Sequence, residues 1–95
     1  MDFLLEDGLS KELIDQIEKK YDDAIIDQFI LEEENVHDVI RYFKKIGIHR
    51  IDTLLLTRIE VFMKDINDVK DAFLRHNIKQ MVEEINKDIN NIDYV

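Results

Sequence analysis

The sequence predicts an all-α domain of about six helices in three antiparallel pairs, with a repeat of about 30 residues. Three observations predict it. The 95-residue chain has no proline and two glycines, which leaves few sites for the tight turns of β-hairpins. Its apolar residues recur at the three- and four-residue spacing of amphipathic helices. A pattern of cap, stripe and stop that begins at Asn35 returns from Asp65. A compact five- or six-helix bundle without repeat geometry is the alternative architecture.

The first helix is expected after Ser10, a good N-cap, with Leu13, Ile14 and Ile17 as its apolar stripe and Leu9 stapling the entry. A second starts at Asp22 or Asp23 and carries Ile25, Ile26, Phe29 and Ile30. The acidic run Glu32 to Glu34 would oppose the dipole of that helix at its C-terminus, so it suits the start of the next one. The third helix is predicted to be capped by Asn35, with Asp38 answering from the first turn and Val36, Val39, Ile40 and Phe43 buried. Gly47 fits the left-handed position that ends it, and Phe43 and Ile48 then take the positions that close the stop. A fourth helix is expected to present Ile51, Leu54, Leu55, Ile59 and Phe62 on one face.

Thirty residues on, Asn35 maps to Asp65, Val39 to Val69, Phe43 to Phe73, Gly47 to Asn77, Ile51 to Met81, Leu55 to Ile85 and Ile59 to Ile89, with no gap. Asn77 is therefore predicted to be the left-handed stop of the fifth helix. The first pair matches more weakly, as terminal repeats commonly do.

Composition limits the chemistry. The chain has no cysteine, which excludes disulfides, thiolate zinc sites and cysteine catalysis, and a reducing cytoplasm is the expected setting. The start lacks the basic and long apolar regions of a signal peptide, so the chain reads as a complete small protein. No apolar run is long enough to span a membrane. His37, His49 and His76 have no histidine partner at helical spacing and are expected on polar faces or helix ends. The stretch Asp65 to Asp71 fails as a calcium loop because Lys70 stands where glycine is needed and His76 where a bidentate glutamate is needed. The adjacent carboxylates read as solvated faces, and the one serine, Ser10, is a cap. No catalytic, cofactor-binding or metal-binding residue is predicted.

The net charge of −9 repels nucleic acid and anionic lipid on average, but it is unevenly spread. Residues 1–38 hold 13 acids and 3 bases, whereas residues 39–64 hold 2 acids and 6 bases. Arg41, Lys44, Lys45, His49 and Arg50 cluster about the Gly47 stop and are the candidate partner-binding residues. Two roles fit them. Cations complement a helix C-terminus and can pair with the acidic first third; they can also dock an acidic partner or phosphates.

The stretch from Asn35 to Met63, with Phe43, Gly47, Ile48, Ile51, Leu54 and Leu55, resembles the helical repeat of the mitochondrial transcription termination factor family. The residues from Asp65 to Ile85 echo it. The resemblance implies an α-solenoid that binds nucleic acid through basic repeat faces. Only its shape is carried over, because the acidic charge opposes that activity.

The leading expectation is a small acidic, non-enzymatic interaction or regulatory module whose partner is a protein or a second copy of itself. The alternatives are a nucleic-acid-binding helical-repeat protein using residues 41–50, which the net charge disfavours, and an acidic inhibitor or nucleic-acid mimic using residues 1–38.

Overall fold

The computed structural model describes all residues, 1–95. Six α-helices form: α1 Lys11–Lys20, α2 Asp23–Leu31, α3 Glu33–Ile46, α4 Ile51–Thr57, α5 Ile66–Leu74 and α6 Ile78–Lys87. Three 3₁₀ segments, Asp2–Asp7, Ile59–Met63 and Ile89–Tyr94, precede α1 and follow α4 and α6. No strand forms, and no helix is long and apolar enough to cross a membrane.

Most helix starts follow local chemistry. Ser10 Oγ accepts the Leu13 N–H at 3.1 Å, and the Asp22 carboxylate accepts the Ile25 N–H at 3.0 Å. Each satisfies a donor that the first turn would otherwise leave orphaned. Glu32 alone separates α2 from α3, so Glu33 and Glu34 open α3, where negative charge complements the dipole. Gly47 ends α3 at φ 98°. The Ile48 N–H donates to the Phe43 carbonyl at 2.9 Å and the Gly47 N–H to the Lys44 carbonyl at 3.2 Å, the two bonds of a Schellman stop.

Three predicted features differ. Asn35 does not cap α3, which starts two residues earlier. Its side chain crosses instead to the start of α5: Oδ1 accepts the Ile66 N–H at 2.9 Å, and Nδ2 donates to the carbonyls of Phe62 and Lys64. Asn77 is not left-handed either. It sits at φ −71°, and its side chain accepts the Gln80 N–H at 3.1 Å, capping α6. Two reasons combine here. Asparagine is among the best N-caps, and α5 has already ended at Leu74, so no left-handed residue is required. Finally, the helix expected from Ile51 to Phe62 leaves the α-conformation at Arg58 and continues as the 3₁₀ segment Ile59–Met63. Ile51, Leu54, Leu55, Ile59 and Phe62 are nevertheless all buried. The α6 helix breaks in the same way at Asp88, 30 positions further on.

Packing is organised about α3. Against it lie α2, α5, α6 and the 3₁₀ segments Asp2–Asp7 and Ile59–Met63, while α1 packs on α4 and α5 on α6. Val36, Val39, Ile40 and Phe43 on α3 are fully buried. Full burial stabilises by roughly 1.5–3 kcal/mol per large apolar side chain, so this stripe outweighs any single cap of ~1 kcal/mol in holding α3. Phe43 is the aromatic centre, edge-on to Phe62 at 5.5 Å and to Phe73 at 5.9 Å between ring centroids. The buried side chains form one contiguous cluster of 22 residues, so the chain has a single core. Its radius of gyration of 12.8 Å is close to the ~12 Å of a compact globule of this length.

A fourth expectation differs at a buried polar pair, Asp7 and His37. His37 is buried, not on a polar face, because the Asp2–Asp7 segment folds over it. Its Nδ1–H donates to the Asp7 carboxylate, itself buried, and Phe3 lies edge-on to the imidazole at 5.4 Å. Each half of the pair satisfies the other, which is the condition for burying either.

Candidate functional site

The five predicted basic residues do not form one patch. Arg41 and Lys45 are four apart on α3 and share a face. Lys44 and His49 line a separate cleft on the side of Gly8, Ser10 and Gly47. Arg50, half-buried, precedes the first residue of α4 and makes no side-chain cap bond there. Two of the cations are partly engaged within the chain. Arg41 Nε lies 3.6 Å from the Asp7 carboxylate, and Lys44 Nζ donates to the Asp7 carbonyl. Together with His37 they clamp the N-terminal 3₁₀ segment onto α3. At Asp7, then, the basic block does pair with the acidic first third.

Arg41 and Lys45 border a groove of about 640 Å³ between α3 and α5. Tyr42 and Ile46 of α3, Ile66 and Leu74 of α5, and Ile78 of α6 supply its apolar lining. Lys70 of α5 joins Arg41 and Lys45 as a third cation, and Asp38 is the one acid. Leu74 is 67% exposed and Tyr42, Ile46, Ile66 and Ile78 are half-buried, so the apolar lining is partly open to solvent. Lys70 Nζ stands 5.7 Å from the centre of the Tyr42 ring, which holds an ammonium over an aromatic face. The ring in turn is edge-on to buried Phe73 at 5.8 Å, and burial raises the Tyr42 hydroxyl pKa above its usual 10.0. The phenol is therefore neutral at physiological pH and available for hydrogen bonding at the groove wall.

Lys70 carried no signal in the sequence. It lies 20 residues past the basic block and reaches the groove only because α5 packs on α3.

On the same side of α3 is an opposite surface. Leu31, Glu32, Glu33, Glu34 and Asn35 line a shallow concavity that also includes Asp38, so the acidic and basic surfaces meet at that residue. Leu31 is 79% exposed. Ion pairs engage only Glu6, Asp7 and Asp93 among the acids, which leaves the acids of α2 and the start of α3 free. No three His, Asp or Glu side chains converge in a way that would hold a metal.

Comparison with protein-family models, with curated proteins and with solved structures finds no match.

Proposed function

We propose that the chain is a small non-enzymatic protein-interaction module, and that the groove between α3 and α5 is its working surface. The observation that carries this reading is the pairing of a partly exposed apolar lining with Arg41, Lys45 and Lys70 on a chain of net charge −9. An apolar groove with a cationic border suits an amphipathic helix that has apolar anchors and carboxylates beside them. A cytoplasmic setting suits a chain without cysteine.

Nuclear magnetic resonance titration tests the reading. A synthetic helical peptide of leucine and glutamate is compared with its leucine–lysine counterpart. The acidic peptide is expected to shift the amides of Tyr42, Ile46, Lys70 and Leu74, and the basic peptide is not. Equal responses to the two peptides, or none from the groove, would remove it as the working surface.

The nucleic-acid reading loses ground because Arg41 and Lys44 are partly engaged at Asp7 and because Lys44 and Lys45 line different clefts. Absence of salt-dependent DNA or RNA binding at low ionic strength eliminates it.

A further inference from the structure

The acidic and basic surfaces are arranged along α3 in a regular order. Glu34, Asp38, Arg41 and Lys45 follow one another at spacings of four, three and four residues, which places them on one side of the helix. Acids occupy its N-terminal half and bases its C-terminal half. The helix dipole accounts for that polarity within one molecule. It does not account for the apolar groove beside the bases or for the exposed Leu31 beside the acids.

A second α3 laid antiparallel on the first matches this order to itself. Glu34 of one copy then faces Lys45 of the other, and Asp38 faces Arg41, with both pairs repeated across a twofold axis that passes between Asp38 and Arg41. The apolar groups are complementary as well. Leu31 and Leu74 are the two most exposed large aliphatic side chains of the molecule, one beside the acids and one in the groove. An antiparallel arrangement carries Leu31 of each copy toward the groove end of the other. Because the acidic and basic surfaces meet at Asp38 on one side of the molecule, the contact is self-complementary and closes as a dimer instead of growing into a filament.

We propose that two copies of this chain associate in this way, α3 against α3, with Leu31 of each copy entering the groove of the other. The proposal rests on the groove being the working surface and names its occupant as a second copy of the chain.

Sedimentation equilibrium on the full chain tests it. The wild type is expected to be a dimer of the 11.4 kDa protomer at low ionic strength and to dissociate as salt is raised. Glu34→Lys and Lys45→Glu each place two like-charge pairs in the dimer, and each is expected to weaken association by about tenfold or more with unchanged circular dichroism. The chain carrying both substitutions restores both pairs and is expected to dimerise again. An equimolar mixture of the two single variants is expected to form the mixed dimer, for the same reason.

A wild type that stays monomeric at millimolar concentration overturns the proposal. So does a dimer indifferent to either reversal, or a double variant that fails to recover. If the monomeric chain still binds the leucine–glutamate peptide, only the dimer is refuted; if it binds neither, the groove reading falls with it.

Discussion

Asn35 Oδ1 accepts the backbone N–H of Ile66 at 2.9 Å, so a side chain of α3 caps the first turn of α5 across 31 residues of sequence. Its amide nitrogen holds the carbonyls of Phe62 and Lys64, which fixes the chain as it enters that helix. The Asp65 side chain supplies a second, local cap by accepting the Asn67 N–H at 2.8 Å.

Asn35→Ala removes this long-range cap and leaves three backbone groups to find water, two of them part-buried. It is expected to lower stability by about 1–2 kcal/mol. Asn35→Asp keeps the acceptor for Ile66 and loses the donor, so it should fall between alanine and the wild type. Urea denaturation of the three proteins checks the order, and an alanine variant as stable as the wild type would show the cap to be redundant with Asp65.

Gly47→Ala tests the stop of α3. An added Cβ would meet its nearest outside neighbour, Val82 Cγ1, at 3.7 Å, an ordinary contact. The cost is therefore one of backbone conformation alone, about 1 kcal/mol for holding alanine at φ 98°. Thermal and urea unfolding should agree on the size of the loss. A neutral or stabilising result would mean that Gly47 is not left-handed in solution.

Asp7→Ala removes the carboxylate that meets His37 and Arg41. The buried imidazole then lacks its partner, and about 1–3 kcal/mol of stability is expected to go with it. Amide hydrogen exchange should localise the change, with faster exchange in the Asp2–Asp7 segment and in the turns of α3 beneath it. Protection unchanged in both would show that Phe3 and Leu4 alone hold the segment.

Two tyrosines predict the alkaline limit of the fold. Burial first, and the charge of Glu60 second, raise the Tyr21 hydroxyl pKa above 10.0; burial raises that of Tyr42. A folded-state pKa raised above the unfolded value means that the unfolded chain loses its protons first. The contribution is full below pH ~10 and is lost as pH rises through the folded-state values. Stability measured against pH is expected to fall above that point, and the fall should be shallower in a Tyr21→Phe, Tyr42→Phe double variant. Identical alkaline profiles would assign the loss to other groups.

The features legible in the sequence are those whose partners lie within one helical turn. Ser10 and Asp22 cap their own helices, Gly47 closes its own stop, and the Val36, Val39, Ile40 and Phe43 stripe follows from helix geometry. Most of the features missed depend on residues some 30 positions away. Asn35 has a competing bond to Ile66 that no local pattern reveals. Asn77 is the local exception: the 30-residue pattern places it at the end of α5, but its side chain caps α6 within one turn, at Gln80. The burial of His37 depends on a 3₁₀ segment whose apolar residues, Phe3, Leu4 and Leu5, are consecutive and show no helical period. Half of the groove was legible in Arg41 and Lys45, whereas Lys70 and the apolar wall of α5 arrive only through tertiary packing.

The break after α4 shows what such packing can do to a helix. Tyr21 donates its hydroxyl to the Leu55 carbonyl at 2.9 Å, and Lys20 donates its ammonium to the Leu56 carbonyl. These are the acceptors that a continuing α-helix would offer to Ile59 and Glu60. With both taken by the end of α1, the backbone can leave the α-conformation at Arg58 and turn Phe62 into the core. The length of α4 is thus a property of the assembled molecule and not of its own segment. A peptide spanning only α4 and the turn after it would have nothing to stop it at Arg58. For this chain, a secondary-structure boundary is a product of cooperative folding, and it would vanish from any fragment that lacks α1.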